Sequence, residues 1–331
     1  MKTKILKALK DAPGYVSGQE LCKNLGVSRT AVWKVIRQLQ EDGYQIEAVR
    51  NRGYCLLESE DVFTGEEIRS VLHTRRIGQE LAFLDITDST NNEARRRAEQ
   101  GAPDGTLVVA LEQTAGKGRR GRSWVSSGGT GIWMSLLLRP DIPPECASML
   151  TLVAAMAVEA GIFLVTGLKG QIKWPNDVIL DGKKGCGILT EMSTEMESIH
   201  YVIVGIGINV GIREFPEDLQ DKATSLILHT DKGVNRAALT AAVAEAWEDY
   251  YESFLKTLDL SLLKEEYSKN LVNRDREVKV LTPGNIYTGI SRGINERGEL
   301  LVETADGVRA VMSGEVSVRG IYGRSEEHTS E

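Results

Sequence analysis

The sequence has few of the residues on which metal sites and disulfide frameworks depend. Its 331 residues include four cysteines without a CxxC pair and four histidines without an HExxH motif. Scattered cysteines argue against a disulfide framework or a thiolate zinc site and are typical of reduced thiols in the cytosol. The histidine spacing disfavours metallohydrolases and cysteine–histidine hydrolases. We therefore expect a cytoplasmic protein without a resident metal site.

Long apolar runs are also missing. No stretch approaches the roughly 18 unbroken apolar residues of a membrane span. The most apolar segment, Met149 to Val165, contains Glu159, so we interpret it as a buried helix. The first residues lack the apolar region and cleavage site of a signal peptide. A content of 41% hydrophobic and 26% charged residues predicts soluble globular domains, and the length allows two or three of them. No membrane association is expected.

Positive charge is concentrated at the amino-terminal end. Residues 1–57 carry ten basic and five acidic side chains, whereas the whole chain has a net charge of −7. The apolar spacing predicts three helices followed by a hairpin, and Gly26 separates the second helix from the third. This order is typical of a winged helix-turn-helix domain.

A basic recognition helix would give this domain a nucleic-acid-binding face. Arginine can read guanine edges in the major groove, and serine, threonine and lysine can hold phosphates. Arginines in the hairpin would reach the DNA backbone or the minor groove. A small helical domain that binds protein is the alternative. The predicted DNA-binding residues are Ser28, Arg29, Thr30, Trp33, Lys34, Arg37, Arg50 and Arg52.

The rest of the chain predicts two further domains. After an acidic linker, helices and strands alternate in a pattern that favours an α+β domain with a mostly antiparallel sheet. Capping boxes are expected at Thr64 with Glu67 and at Thr90 with Glu93. From about Arg276, short strands and turns predict a small β-barrel. The last eight residues, RSEEHTSE, share no pattern with the others, and we interpret them as a non-native tail; a disordered tail is the alternative.

The segment from Gln113 to Trp124, QTAGKGRRGRSW, is the most informative. It contains a GxGxxG pattern, but arginines and a serine stand where a Rossmann motif needs an apolar helix. A Walker A motif fails because GK is not followed by serine or threonine. A glycine loop with one lysine and three arginines can still close around an anion through backbone N–H groups and bidentate contacts. An exposed basic loop is the alternative.

Two further segments place polar groups beside small residues. In IKWPNDVILDGKKGCGIL, Lys173, Asn176 and Asp177 surround a Trp-Pro pair, and two lysines precede a strand of small residues. In GIGIN, Gly205 and Gly207 leave room on one strand face, although close packing by a helix would also explain them.

Six short motifs occur here in the order found in biotin–protein ligases. They are DSTN (88–91), GKGRRGRSW (116–124), KWPND (173–177), KKGCGIL (183–189), GIGIN (205–209) and ATSL (223–226). With the winged helix, the chain to about Tyr322 resembles the bifunctional subclass that is both ligase and biotin operon repressor. The resemblance implies a winged helix in 1–60, a ligase domain in 64–272 and an SH3-like β-barrel in 275–323, and it leaves 324–331 as the probable non-native tail.

The resemblance also implies a two-step reaction and a set of partners. Biotin and ATP would form biotinyl-5′-AMP with Mg²⁺, and a lysine of the biotin carboxyl carrier protein of acetyl-CoA carboxylase would accept the biotin. The adenylate would act as corepressor, favouring a homodimer on operator DNA. A ligase without regulation, a transcription factor with an inactive effector domain and a lipoate-type ligase are the alternatives.

Site residues follow by matching position. Lys184 and Arg119 are the predicted catalytic residues. The predicted biotin-binding residues are Ser89, Thr90, Asn91, Gln113, Lys117, Gly118, Arg119, Lys184 and Gly187. The predicted ATP-binding residues are Gly116, Arg120, Arg122, Trp124, Asn176, Asp177 and Asn209. Two positions need care, because many relatives have arginine at Lys117 and because Lys183 could exchange roles with Lys184.

Overall fold

The computed structural model describes residues 1–57, 61–195, 198–282, 285–312, 315–318 and 321. The amino-terminal part has the predicted helix and hairpin order. Ser17 and Ser28 begin their helices by accepting backbone N–H groups at 3.1 and 3.2 Å. Its elements are α1 (Lys2–Asp11), α2 (Gly18–Leu25), α3 (Arg29–Glu41), β1 (Ile46–Val49) and β2 (Gly53–Leu56). These elements enclose their own apolar core.

The central part is built on one seven-stranded sheet. Its strands are β3 (Leu81–Thr87), β4 (Thr106–Gln113), β5 (Gly131–Leu138), β6 (Gln171–Lys173), β7 (Asp177–Leu180), β8 (Lys183–Glu195) and β9 (Ser198–Asn209). They lie in the order β3-β4-β5-β9-β8-β7-β6. Only the β3–β4 pair is parallel, so the prediction of a mostly antiparallel sheet is confirmed.

Helices cover both faces of this sheet. They are α4 (Gly65–Val71), α5 (Thr90–Glu99), α6 (Leu150–Thr166), α7 (Arg236–Thr257) and α8 (Lys264–Asn270). The α6–α7 pair contributes to the large core on one face, and Ala94 and Ala98 of α5 pack on the other. The segment Pro144–Thr166 is long and apolar enough to cross a membrane by length and composition alone. Most of it is buried against the sheet and α7, which confirms the predicted core helix.

The carboxy-terminal part is a five-stranded antiparallel sheet. It contains β10 (Glu277–Thr282), β11 (Asn285–Ile294), β12 (Leu300–Thr304), β13 (Gly307–Val311) and β14 (Glu315–Val318) in the order β13-β12-β11-β10-β14. The Trp174 indole N–H donates to the carbonyl of Gly298 at 2.9 Å, which joins this sheet to the central domain beside the KWPND segment. The proposed domain limits remain a prediction, and the tail lies outside the described residues.

The predicted capping box at the start of α5 is wrong. Thr90 is the first residue of α5 rather than its cap, and Ser89 occupies the cap position. Glu93 pairs with Arg96 and Arg97 instead of completing a capping box on Thr90. The difference arises because Thr90 is turned toward the side chain of Gln113, which accepts from both its backbone N–H and its hydroxyl.

A buried carboxylate joins the winged helix to the ligase domain. Thr64 caps α4 as predicted, accepting from the Glu67 N–H at 3.1 Å. The predicted box is incomplete, however, because the Glu67 side chain turns away and accepts hydrogen bonds from Lys10 and Tyr44 of the winged helix. Burial raises the pKa of the Tyr44 hydroxyl, so Tyr44 remains a donor to Glu67.

Candidate functional site

A pocket with mixed polar and glycine walls lies where the start of α5, the middle of β8 and β9, and the 114–130 glycine loop meet. Its wall consists of Ser89, Thr90, Asn91, Gln113, Lys117, Gly118, Arg119, Trp124, Asn176, Lys184, Gly187, Ile188, Leu189, Gly205, Ile206 and Gly207. The cavity is partly open to solvent and measures about 50 Å³. Because pockets for drug-sized ligands measure roughly 300–1,000 Å³, binding such a ligand requires side chains of the wall to move.

The α5 end of the pocket is a dense network of hydroxyl and amide groups. Thr90 and Asn91 are almost fully buried, and the hydroxyl of Ser135 approaches Thr90 Oγ1 at 2.8 Å and Asn91 Oδ1 at 2.6 Å. Gln113 accepts two hydrogen bonds from Thr90 and donates to Ser126. These groups are fixed before any ligand arrives, which suits recognition of a small polar ring.

Glycines on β9 admit side chains from neighbouring elements. A Cβ at Gly205 would overlap Asn91 Oδ1, and one at Gly207 would lie 2.6 Å from the Trp124 indole nitrogen. The strand face of Gly205 and Gly207 therefore has the predicted free space, which the side chains of Asn91 and Trp124 fill. Each glycine allows one wall residue to approach the strand backbone closely.

The glycine loop folds back on itself. Trp124 N donates to the carbonyl of Gly116 at 2.9 Å, and Gly118 N donates to that of Arg122 at 2.7 Å. Arg119 then reaches across to the KWPND segment, where its guanidinium donates to Asn176 Oδ1 at 2.9 Å. The Lys117 ammonium donates to Asn92 Oδ1 at 2.6 Å. The two cationic side chains thus tie the loop to the KWPND segment and to α5.

Lys184 lines the opposite wall and pairs with Asp177. Lys184 Nζ lies 2.6 Å from Asp177 Oδ1 and 5.1 Å from the centre of the Trp124 ring. A Cβ at Gly187 would lie 3.1 Å from Lys184 Nζ, so the small residue gives the lysine space to fold over its own strand. A cation held between a carboxylate and an aromatic face is well placed to exchange that carboxylate for a ligand oxygen.

The two neighbouring lysines are clearly distinguished. Lys183 Nζ donates to the carbonyl of Gln220 at 2.7 Å and is absent from the pocket wall. Only Lys184 lines the pocket.

The structure brings all nine predicted biotin-binding residues into this wall. Of the predicted ATP-binding residues, Trp124 and Asn176 line it, and Asp177 contacts it through Lys184. The other four, Gly116, Arg120, Arg122 and Asn209, lie outside the wall. Asn209 is buried and donates to the carbonyl of Thr224 at 3.0 Å.

Sequence reasoning missed two polar members of the site. Ser135 lies in the middle of an apolar strand, GIWMSLLL, where its periodicity predicts nothing but burial. Glu191 on β8 accepts from Asn91 at 2.8 Å and from Arg95 at 3.0 Å. The single serine within an apolar strand is the signal that could have suggested Ser135.

A second, larger cavity of about 620 Å³ lies between α8 and the carboxy-terminal sheet. Among its lining side chains, Lys264 pairs with Glu296 at 2.9 Å, and Arg292 pairs with Asp275 outside the lining at 2.8 Å. The described residues also contain no cluster of three or more potential metal ligands of the His, Cys, Asp and Glu types.

Helix α3, the predicted recognition helix, presents the predicted basic face. Arg29, Lys34 and Arg37 are exposed, and the Arg37 guanidinium lies 5.3 Å from the Trp33 ring centre. In the wing, the Arg52 guanidinium lies 4.5 Å from the Tyr15 ring centre. The Ser28 hydroxyl caps α3, so its structural role is established independently of any DNA contact.

Family models match all three parts of the chain. The HTH domain model matches residues 2–55, that of the biotin/lipoate A/B protein ligase family matches residues 83–209, and that of the biotin protein ligase C terminal domain matches residues 275–319.

Individual relatives match over nearly the whole length. The bifunctional ligase/repressor BirA of Bacillus subtilis is 41% identical over 92% of this chain and 94% of its own. BirA of Escherichia coli is 31% identical over 92% of this chain and 93% of its own. The biotin protein ligase of Aquifex aeolicus in complex with biotin and ATP is 34% identical, with a TM-score of 0.64, over 73% of this chain and 99% of that chain.

Proposed function

Because the chain belongs to the biotin protein ligase family of the bifunctional ligase/repressor type, we propose that its central pocket joins biotin to ATP and then biotinylates a protein lysine. The observation that carries this proposal is the convergence of three groups. A fixed hydroxyl and amide network, a cationic glycine loop and Lys184, which pairs with Asp177, meet at one small pocket.

In the first step, a biotin carboxylate oxygen attacks the α-phosphorus of ATP, and the bond to pyrophosphate breaks. Such a displacement depends on positioning and charge stabilisation rather than on a protein nucleophile. Lys184 would exchange Asp177 for the carboxylate and α-phosphate oxygens and stabilise the charge that develops there. Cysteine or histidine chemistry is unnecessary for this step.

In the second step, the ε-amine of the acceptor lysine attacks the acyl carbon of biotinyl-5′-AMP. The amide bond forms, AMP leaves with the electrons of the C–O bond, and the amine loses a proton. Until then the mixed anhydride must be kept from water. Arg119, which already bridges the loop to Asn176, would hold the phosphate and keep the loop closed.

The biotin ring would occupy the α5 end of the pocket. Ser89, Thr90, Asn91 and Gln113 offer both donors and acceptors there, which is the chemistry that a cyclic urea requires. Trp124 would cover the aliphatic tail or the adenine, since its ring already lies over Lys184.

We also propose Mg²⁺ as the ion that accompanies ATP. Magnesium is usually held by one or two carboxylates together with substrate phosphates and water. Asp177 fits that role once Lys184 turns to the substrate, because its carboxylate lies beside the ammonium of this pocket-lining lysine. When bound, the ion neutralises phosphate charge.

The winged helix supports a second activity, regulated DNA binding. Each winged helix has an exposed basic face and is attached to its ligase domain through Glu67. When the chain dimerises, two recognition helices would therefore face an operator. We propose that biotinyl-5′-AMP favours the dimer by ordering the glycine loop. The acceptor would be the biotin carboxyl carrier protein of acetyl-CoA carboxylase, in the cytoplasm, where all four cysteines remain reduced.

Incubation with labelled biotin, ATP and a carrier domain tests the ligase activity. We expect label on one carrier lysine, dependent on ATP. A lipoate-type ligase would instead transfer lipoate, and an inactive effector domain would transfer neither. A gel shift with and without biotin plus ATP tests regulation, because a ligase without regulation would show no ligand-dependent shift.

A further inference from the structure

A chain of three side chains lies behind the pocket wall. His229 Nε2 is 2.7 Å from the hydroxyl oxygen of Thr224, and His229 Nδ1 is 3.1 Å from a carboxylate oxygen of Asp181. An ionised carboxylate can only accept, so with a neutral ring the Nδ1 atom carries the proton and Nε2 accepts from Thr224. Asp181 is in the turn between β7 and β8, and His229 directly follows the short 3₁₀ turn Leu226–Leu228.

The order of hydroxyl, imidazole and carboxylate is that of a hydrolytic triad, but the surroundings exclude a nucleophile. Thr224 is only 3% exposed and does not line the central pocket. A substrate carbon therefore has no route to its hydroxyl oxygen. The three residues can therefore contribute only by positioning their neighbours.

Thr224 connects directly to two residues of the predicted site. Its backbone N–H donates to the carbonyl of Lys184 at 2.9 Å, and its own carbonyl accepts from the Asn209 amide at 3.0 Å. Lys184 N donates in turn to the carbonyl of Lys222 at 2.8 Å, so the 222–224 segment pairs with Lys184 on both sides. The backbone from which Lys184 enters the pocket thus depends on where Thr224 lies.

We propose that His229 is a positioning residue for adenylate formation, holding Thr224 so that the 222–224 segment fixes the backbone of Lys184 and the side chain of Asn209. The proposal rests on the ligase function argued above. It predicts that His229 affects the chemical step, because a small displacement of a charge-stabilising group lowers the rate strongly. Biotin affinity should change little, since the ring site at α5 belongs to different elements.

The experiment measures ATP–pyrophosphate exchange and biotin binding for four variants of the full chain. His229→Ala should lower kcat by about tenfold or more and leave the Kd for biotin within about twofold. His229→Gln should recover most of the loss, because its amide oxygen can accept from Thr224 at the Nε2 position. Thr224→Val, which removes only the hydroxyl, should reproduce the alanine variant. His200→Ala, on an exposed stretch of β9, is the matched control and should behave as wild type.

Three results would overturn the proposal. The first is a wild-type kcat in both His229→Ala and Thr224→Val. The second is a glutamine variant no better than alanine. The third is a parallel loss of kcat, biotin affinity and melting temperature, which indicates a general structural role. Absence of exchange in the wild-type chain would instead reject the ligase function itself.

Discussion

Lys184 Nζ lies 2.6 Å from Asp177 Oδ1, so the only lysine of the 183–184 pair that lines the pocket is already engaged with a carboxylate there. This pairing lowers the cost of placing a cation in a partly buried wall. The ammonium can also leave Asp177 and pair instead with a substrate carboxylate or phosphate. The two lysines therefore differ in position and partners although they are neighbours in sequence, and the proposed role in adenylate formation belongs to Lys184.

Lys184→Ala should reduce adenylate formation by about 10²- to 10³-fold, the range found when one charge-stabilising donor is removed. Lys183→Ala, the matched control, should stay within about threefold, because Lys183 donates to the Gln220 carbonyl and does not line the pocket. Pyrophosphate exchange measures both. Equal losses in the two variants would remove the assignment.

Arg119→Gly should release the adenylate before transfer. The substitution removes the hydrogen bond to Asn176 that joins the loop to the KWPND segment. We expect biotin to appear on lysines of unrelated proteins, measured by mass spectrometry of a mixed protein sample. Arg119→Lys should give an intermediate result, since lysine keeps the charge but not the planar fork. Adenylate retained by the glycine variant as by wild type would refute the role of the loop.

Gly205→Ala should weaken biotin binding by at least about tenfold, as a buried Asn91 is forced out of its network. The added methyl group would overlap Asn91 Oδ1, which also receives the Ser135 hydrogen bond. Gly211→Ala is the control, because nothing lies closer than 3.8 Å to its added atom. Calorimetry of biotin binding compares the two, and equal affinities would show that Asn91 does not contact the ring.

The Glu159 carboxyl should make stability depend on pH. Burial, with the nearby charge of Glu266, raises the pKa of Glu159 to about 6 from 4.5, and Asn270 donates to its carboxyl at 3.0 Å. The folded state therefore favours the protonated form. The contribution of Glu159 to the stability of the folded state is fully present below pH 4.5 and is lost as the pH rises through 6.

In the wild type, the free energy of unfolding should consequently decrease by about 1–2 kcal/mol between pH 4.5 and 7.5, and Glu159→Gln should abolish this decrease. Urea denaturation at a series of pH values measures the difference between variant and wild type. Glu265→Gln, an exposed site on α8, should keep the wild-type pH dependence. Parallel pH curves for wild type and Glu159→Gln would contradict the prediction.

Lys34→Ala should weaken operator binding without affecting ligation. Lys34 is exposed on α3, far along the chain from every wall residue of the pocket. If it contacts one phosphate, the slope of log affinity against log salt should decrease in magnitude by about 0.9. Titration of DNA binding at several salt concentrations measures the slope. An unchanged slope and affinity would show that this face does not meet DNA.

The local sequence predicted most elements, because each carries its own signal. Gly26 ends α2 as predicted, and Ser17 and Ser28 cap α2 and α3. The long buried helix was recognisable from its apolar composition alone, although its first turns are 3₁₀ rather than α.

Contacts between distant segments could not be predicted from local patterns. The turn of Thr90 toward Gln113 and the approach of Glu67 to Lys10 join residues 23 and 57 positions apart. The hydrogen bond from Thr224 to Lys184 depends on how a connecting segment returns to the sheet. Propensity and periodicity describe single elements, so tertiary pairs of this kind emerge only from the folded chain.

The most direct test of the account is the small molecule that remains bound after wild-type protein is incubated with labelled biotin, ATP and Mg²⁺ and passed through gel filtration. We predict biotinyl-5′-AMP at about one per chain, and its disappearance with transfer of label to a lysine when a carrier domain is added. Recovery of unreacted biotin alone, with no label on the carrier, would contradict the account.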